Sequence, residues 1–188
     1  MCFDLSPETR LERLKPEDGI LKVLREAFSR IEGREKLSKL IPQVGLNMVY
    51  SRSRVEDISD VAGLSGRVII SMGAPRVCGE VIYGGSGHIG SVIVELSKLE
   101  SKMRAAVVVK GRNYIARTLE EMGLRVHTLP AEATEGCPVA KYLREGGGIF
   151  DAYFHPGAFG VEPTITVVAG DPGDLVEIIE GLADHVEG

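Results

Sequence analysis

A glycine-rich turn between an apolar strand pattern and an amphipathic helix pattern constrains this chain more than any other stretch. Residues 84–90 read Gly-Gly-Ser-Gly-His-Ile-Gly and follow the predicted strand 76–83. From there apolar residues recur at steps of three and four, which predicts a helix over 86–99. Its apolar face consists of Ile89, Val92, Ile93, Leu96 and Leu99. The sequence therefore predicts a strand–loop–helix unit, which is typical of α/β proteins.

The residues of this loop predict an anion site at the start of the helix. Gly84, Gly85 and Gly87 allow the backbone to approach a ligand closely or to adopt a positive φ. Ser86 is expected to cap the helix, and His88 stands in its first turn. The unpaired N–H groups of a helix start attract phosphate. The alternative is a plain tight turn, and we favour the anion site because three glycines and a histidine exceed what a turn requires.

Arg67, one strand earlier, is the candidate partner for the same anion. Its guanidinium is always charged, and its forked N–H groups match phosphate oxygens. A hairpin between the predicted strands 66–72 and 76–83, turned at residues 73–75, would carry Arg67 toward His88. The alternative is a solvated arginine at a strand edge.

The spacing Gly85-x-Gly87-x-x-Gly90 also matches the dinucleotide-binding fingerprint. In that fold an acidic residue about twenty positions later holds the ribose. Lys110 stands at that position in this chain, and the preceding strand looks hairpin-paired. We therefore rank a dinucleotide site below a simple phosphate site.

Composition excludes several other classes of function. The 188 residues carry a net charge of −5 and 5% aromatic residues, without a basic run, which argues against a nucleic-acid partner. No apolar run reaches the roughly 18 residues of a membrane span, and no signal peptide is visible. Cys2, Cys78 and Cys137 lie far apart, which fits free thiols in a reducing cytoplasm. Cys78 is predicted to be a small core residue.

The order of elements divides the chain into a helical arm and an α/β domain. Residues 1–40 are predicted to form an N-terminal helical extension, with helix starts at Ser6-Pro7 and at Pro16. This arm packs on the main domain or on a second subunit, and is a candidate homodimer interface. In residues 41–188 the early strands look hairpin-paired and later strands alternate with helices. This order predicts a mixed sheet with helices on both faces.

Three predictions concern single segments of that domain. Residues 44–51 are predicted to form a strand, in which Asn47 is a polar residue in an apolar setting. Residues 55–62 fit either a short helix or a loop rich in acidic residues. Glu162, before the apolar strand pattern 164–169, offers a carboxylate to a metal or a substrate amine, or only ends the loop.

Four motifs together resemble the ThiN-type thiamine-phosphate synthase domain family, and they occur in that family's order. They are residues 41–50, 60–68, 84–89 and 157–163. The resemblance extends from about residue 40 to the C-terminal end of the sequence. It implies a three-layer α/β/α fold with a mixed, largely antiparallel sheet, similar to class II aldolases.

The resemblance also implies an activity. The family joins hydroxymethylpyrimidine pyrophosphate to hydroxyethylthiazole phosphate and releases thiamine phosphate and pyrophosphate. Its essential arginine and histidine correspond to Arg67 and His88, which are the expected catalytic residues. Asn47, Glu162 and the loop residues 84–87 are expected to bind substrate or phosphate. Mg²⁺ is the implied cofactor, and phosphorylated small molecules are the implied partners.

The chain departs from the family pattern where polar or charged residues are usual. The positions are Val108, His155, Pro156 and Val161. The sequence therefore also allows a second function, that of a non-catalytic domain which binds or senses thiamine phosphate or another phosphate ester.

Overall fold

A computed structural model describes residues 18–132 and 135–186, and a seven-stranded mixed sheet forms its centre. The strands are β1 (Met48–Ser51), β2 (Val61–Leu64), β3 (Arg67–Ser71), β4 (Ala74–Cys78), β5 (Val81–Tyr83), β6 (Ala105–Lys110), β7 (Val126–Thr128), β8 (Ala152–His155) and β9 (Thr164–Ala169). The main sheet has the order β5-β2-β1-β6-β9-β8-β7, and β3 and β4 form a separate two-stranded hairpin. Neighbouring strands of the main sheet are antiparallel except β7 and β8, which are parallel.

Helices cover both faces of the main sheet. They are α1 (Gly19–Ile31), α2 (Gly87–Leu99), α3 (Asn113–Glu121), α4 (Pro138–Arg144) and α5 (Pro172–His185), with 3-10 turns at Glu35–Leu40 and Ile58–Asp60. Helices α1, α3 and α5 contribute to one hydrophobic core, and α2 and α4 contribute to a second core on the other face. The predicted three-layer α/β/α fold is therefore confirmed.

The strands supply side chains to both cores in alternation, because successive residues of a strand point to opposite faces. Met48 and its pairing partner Val107 belong to the α1–α5 core, whereas Val49 and its partner Ala106 belong to the α2–α4 core. Burial on both faces explains why the central strands read as continuous apolar runs rather than as an alternating pattern.

Two helix starts show how local sequence sets the ends of these elements. The Asp171 carboxylate accepts a hydrogen bond from the Gly173 N–H at 2.7 Å, and Pro172 occupies the first helical position of α5, as predicted. The N–H of Ile20 donates to Asp18 at the start of α1 in the same way. The helix starts predicted at Ser6-Pro7 and Pro16 lie outside the described residues.

The predicted strand 76–83 is wrong, because the chain divides it between two sheets. β4 ends at Cys78, while β5 begins at Val81 and pairs with β2. Gly79 adopts a φ of +105° and turns the chain between them. A Cβ on the neighbouring Gly66 would lie 2.1 Å from the Cys78 carbonyl oxygen. A left-handed turn at a tight backbone contact thus breaks an otherwise continuous strand pattern.

Three smaller predictions also need correction. The first strand begins at Met48 rather than at residue 44, because Gly45 has a φ of +82° and redirects the chain. Residues 55–62 contain the 3-10 turn Ile58–Asp60, which agrees with the predicted short helix or acidic loop, but they also contain the start of β2, which the sequence did not indicate. Cys78 is exposed rather than buried, since β4 belongs to the hairpin and not to the main sheet.

The described part of the predicted arm packs into the α1–α5 core through Leu24, Phe28 and Leu37. The division at residue 40, the homodimer and the cytoplasmic location stay predictions. Within residues 18–132 and 135–186, no helix combines the length and the apolar character that crossing a bilayer would demand.

Candidate functional site

A cavity of about 430 Å³ lies on the α2–α4 face of the main sheet, and strand pairing builds its floor. The N–H of Val108 donates to the Asn47 carbonyl oxygen at 3.1 Å, and Val108 pairs with Thr166 on β9. Thr164 and its partner His155 form the next row toward the strand ends. All five residues line the cavity, so the register of three antiparallel strand pairings sets its chemistry.

Arg67 and His88 line this cavity together. Arg67 is exposed at the start of β3, and its Nη1 donates to the Gly66 carbonyl oxygen at 2.8 Å. His88 stands in the first turn of α2. The structure thus brings together the two residues that the family resemblance implies as catalytic, although 21 positions separate them in the sequence (88 − 67).

The surroundings of His88 favour its neutral form. Desolvation lowers the pKa of His88 below its ordinary value of 6.5, and the positive charge of Arg67 lowers it further. The residue still keeps exposed surface, so a ligand can reach the ring. A bound anion would favour the protonated imidazolium and raise this pKa again. His88 can therefore donate one hydrogen bond when neutral and two when protonated.

The glycine loop shapes the approach to α2 more than it lines the cavity. Gly84 has a φ of +69°, and a Cβ on Gly85 would lie 2.3 Å from the Gly63 carbonyl oxygen. Gly87 lines a neighbouring cavity described below. Gly84, Gly85 and Ser86 line neither cavity.

Ser86 occupies the N-cap position of α2, but the predicted cap by its side chain is wrong. The hydroxyl makes no cap hydrogen bond, and its buried Oγ has no partner among the described residues. The Cβ of Ser86 instead packs closely against Gly63 of β2, 3.0 Å from where a Cβ on that glycine would lie. Tight contact with the sheet therefore replaces the expected cap.

Asn47 is buried, and backbone groups engage both ends of its side-chain amide. Its Nδ2 donates to the carbonyl oxygens of Leu64 at 2.8 Å and Gly66 at 3.3 Å. Its Oδ1 accepts from the N–H groups of Met48 at 2.8 Å and Leu64 at 3.2 Å. Since the Gly66 carbonyl also receives the Arg67 guanidinium, Asn47 fixes the backbone on which Arg67 stands.

Glu162 joins two loops at the edge of the cavity. Its Oε1 accepts from the Gln43 N–H at 2.8 Å, and its Oε2 accepts from the Val44 N–H at 3.1 Å. Both carboxylate oxygens therefore hold the segment that leads into β1. The carboxylate's visible role is to anchor this loop.

His155 is also engaged in local hydrogen bonds. Its Nδ1 accepts from the Gly157 N–H at 3.3 Å, so its Nε2 carries the hydrogen that points to the Glu132 carbonyl oxygen at 3.0 Å. His155 thus holds the ends of two loops beside the cavity.

The residues of this cavity do not fit a Mg²⁺ ion held by the protein alone. Among the described residues, no group of three or more His, Cys, Asp or Glu side chains is placed to hold a metal ion. Both oxygens of Glu162 already accept backbone hydrogen bonds. Burial raises the pKa of the Cys137 thiol, which keeps it protonated. Mg²⁺ prefers carboxylate, phosphate and water oxygens in octahedral geometry, which these side chains do not offer.

Several cavity residues were missed from the sequence. They include Gly136, Cys137, Val139, Thr164 and Thr166. The two threonines did carry a usable pattern, because positions two apart on a strand share one face. The other three approach the cavity only because α4 docks beside α2, and the sequence gives no comparable indication of that docking.

Comparisons with known proteins agree with this architecture. The sequence model of the family described as thiamine-phosphate synthase ThiN matches residues 23–181. Over 166 residues the chain is 30% identical to thiamine-phosphate synthase ThiN of Methanothermobacter thermautotrophicus, a match that covers 82% of this chain and 87% of that protein.

Two solved structures share the fold. The C-terminal domain of phosphomethylpyrimidine kinase is similar with a TM-score of 0.73 and 26% identity, covering 87% of this chain and 97% of that one. An aldolase II superfamily protein from Pseudomonas syringae is similar with a TM-score of 0.50 and 12% identity, covering 93% of this chain and 77% of that one. The second likeness concerns the fold alone, and it confirms the predicted similarity to class II aldolases.

Proposed function

Because this chain belongs to the thiamine-phosphate synthase ThiN family, we propose that it joins hydroxymethylpyrimidine pyrophosphate to hydroxyethylthiazole phosphate and releases thiamine phosphate and pyrophosphate. The observation that carries the proposal is the presence of Arg67 and His88 in one cavity. Apolar side chains such as Val108 and Val139 line the same cavity, and they suit the faces of heteroaromatic rings.

The proposed reaction places its main electrostatic demand on the leaving group. The thiazole nitrogen attacks the methylene carbon of the pyrimidine substrate, and a nitrogen–carbon bond forms. The bond from that carbon to the diphosphate oxygen breaks, and its electron pair leaves with pyrophosphate. The nitrogen becomes a cationic thiazolium. The protein has to hold both substrates in line and stabilise the charge that grows on the departing oxygen.

Arg67 and His88 meet that demand in this proposal. The Arg67 guanidinium binds the diphosphate oxygens, and His88 donates a hydrogen bond to the departing oxygen. The loop 84–87 places the first N–H groups of α2 near the same charge. Asn47 and Glu162 act by positioning, since their side chains hold the Gly66 carbonyl and the segment before β1.

We propose that Mg²⁺ arrives with the diphosphate of the substrate, because the protein groups do not form a site of their own. Mg²⁺ commonly binds through substrate phosphates while it keeps several water ligands. None of the residue roles assigned above depends on it.

A second function, binding of thiamine phosphate without catalysis, is favoured by the apolar cavity wall. Val108 and Val161 line the cavity where the family pattern carries polar residues. His155, at another departure from that pattern, is engaged with backbone groups. Such a cavity would keep Arg67 and His88 to bind a phosphate group but would lack further polar groups for catalysis.

Incubation of the purified protein with both substrates and Mg²⁺ tests the first function. We expect thiamine phosphate and pyrophosphate in equal amounts. Arg67→Ala and His88→Ala should each lower kcat/KM by at least about tenfold, the usual effect of losing one charge-assisted hydrogen bond.

Arg76→Ala is the matched control, because Arg76 is an exposed arginine of the same hairpin that does not line the cavity. It should retain wild-type kcat/KM. Absence of product, together with a higher melting temperature in thiamine phosphate, would establish the second function instead. Absence of both responses would contradict both functions.

A further inference from the structure

A second cavity, of about 700 Å³, adjoins the first one. The two cavities share His88, Gly136 and Cys137 in their walls. Helix α4 forms the outer side of the second cavity and contributes Lys141 and Arg144. His88, which donates a hydrogen bond to the departing oxygen in the proposed reaction, thus lies where the two cavities meet.

Arg144 is oriented by an ion pair outside the cavity. Its Nε lies 3.1 Å from Oε1 of Glu95 on α2, and Glu95 is only 8% exposed. The other carboxylate oxygen of Glu95 accepts from Lys98 at 2.8 Å. This contact uses the Nε–H of Arg144, while the two Nη groups carry the remaining four of the five guanidinium N–H donors.

Lys141 stands three residues before Arg144, so both cations lie on the same side of α4. Its Nζ is 4.0 Å from Glu145, and the two side chains are 47% and 65% exposed. An exposed pair of this length contributes little free energy, so a doubly charged anion can displace the carboxylate. Glu135, on the loop before α4, and Glu145, at its C-cap, also line the cavity. Lys141 and Arg144 are therefore the lysine and arginine side chains that this cavity offers to an anion.

We propose that this second cavity binds the phosphate group of hydroxyethylthiazole phosphate through Lys141 and Arg144. The inference rests on the proposed function, which requires two phosphorylated substrates on two sides of one reacting centre. Arg67 lines only the first cavity, and the two α4 cations line only the second. Each anionic group thus has its own cation, and separation of the two anions reduces their repulsion. The two rings then meet beside His88.

Lys141→Gln tests this assignment, with Lys22→Gln as a matched control. Lys22 also lies 4.0 Å from a glutamate four residues later, Glu26, with similar exposures of 59% and 64%. It belongs to α1, on the opposite face of the sheet. Calorimetric titration should show about tenfold weaker binding of hydroxyethylthiazole phosphate to Lys141→Gln, with unchanged binding to Lys22→Gln. Binding of hydroxymethylpyrimidine pyrophosphate should stay unchanged in both variants.

Glu145→Gln should act in the opposite direction. Removal of the competing carboxylate should strengthen binding of hydroxyethylthiazole phosphate by about threefold, whereas Glu26→Gln should leave it unchanged. A residue that only stabilised α4 would not produce tighter binding when removed. The alcohol that lacks the phosphate should bind all four variants and the wild type equally.

Unchanged binding in Lys141→Gln would overturn the assignment, as would an equal loss for both substrates. Melting temperatures of the variants identify any loss that comes from unfolding. If the wild type makes no thiamine phosphate but Lys141→Gln selectively loses hydroxyethylthiazole phosphate, the proposed reaction fails and the binding site stands. If condensation proceeds with the same KM in Lys141→Gln, the binding site fails and the reaction stands.

Discussion

His88 shows how the charge of a single residue can depend on its ligand. Partial desolvation and the nearby Arg67 lower the pKa of its imidazole in the unliganded protein. A phosphate or diphosphate in the cavity opposes both effects and stabilises the imidazolium. Ligand binding is therefore coupled to the uptake of a proton by His88.

This coupling predicts a pH-dependent affinity. As pH falls, the affinity for pyrophosphate should begin to rise near the pKa of His88 in the complex. The rise should end below the pKa of His88 in the free protein. The free pKa lies below 6.5, so the rise should extend below that value. Calorimetry between about pH 8 and pH 5.5 on wild type and His88→Asn measures the effect. Subtraction removes the titration of pyrophosphate itself, and parallel profiles for the two proteins would contradict the prediction.

Ser86 and Asp171 occupy the same position in two helices and should respond differently to alanine. Asp171 accepts a real cap hydrogen bond, so Asp171→Ala should cost about 1 kcal/mol of unfolding free energy. The buried Ser86 hydroxyl has no partner within residues 18–132 and 135–186, so Ser86→Ala should change this free energy by less than about 0.5 kcal/mol or raise it. Urea denaturation of both variants gives the comparison. An equal loss of unfolding free energy in the two variants would contradict the prediction, because it would mean that Ser86 also caps its helix.

At the scale of elements, Asn47 joins the hairpin to the main sheet. Its amide contacts the start of β1, the end of β2 and the Gly66 carbonyl that precedes β3. The hairpin also contacts the main body through the backbone bridge between Leu46 and Val68. These polar contacts hold the base of the hairpin, where Arg67 lies, while its turn is held separately by the Gly33 N–H and the Ser38 hydroxyl.

Asn47→Asp should destabilise the protein, and more strongly at pH 8 than at pH 5. The substitution places a carboxylate oxygen against the carbonyl oxygens of Leu64 and Gly66, where Nδ2 now donates. Burial and repulsion raise the pKa of the introduced carboxyl above its unfolded value. Stability is then highest below the unfolded pKa and is lost as pH rises through the folded one.

Urea denaturation at both pH values measures this effect, with Asn113→Asp as the control. Asn113 is exposed at the start of α3, where an acidic residue is tolerated. An Asn47→Asp variant as stable as wild type at pH 8 would show that these contacts carry no weight.

For the whole molecule, three carboxylates pair with cations of other segments and share one response to acid. Hydrogen bonds from Lys98 and Arg144 lower the pKa of Glu95, which connects α2 to α4. Arg125 lowers the pKa of Asp151 at the β7–β8 edge. Lys36 lowers the pKa of Asp184 in α5. These groups stabilise the fold above their unfolded pKa values, and that stability is lost as pH falls through the folded ones.

The free energy of unfolding should therefore decrease between about pH 5 and pH 3. Glu95→Gln and Asp151→Asn should each be less stable than wild type near neutral pH. At about pH 3 their free energies of unfolding should approach that of wild type. Urea denaturation across this range tests the expectation. If the loss of unfolding free energy in these variants does not change with pH, these carboxylates act through packing rather than through charge.

The features that could be predicted from the amino-acid sequence lie within short stretches of chain. The spacing of Ile89, Val92 and Leu96 defined the buried face of α2, and Asp171 with Pro172 defined the start of α5. Such patterns are readable because helix periodicity and capping involve residues only a few positions apart. The same holds for the motifs that carried the family resemblance and, through it, Arg67 and His88.

Tertiary structure decided what those residues face. It placed Lys141 and Arg144 beside the shared wall of two cavities, and it engaged Glu162 with Gln43 across 119 positions of chain. It also divided residues 76–83 between two sheets at a left-handed glycine. Contacts of this kind depend on strand order and helix docking, which arise from the packing of the whole chain rather than from any local pattern.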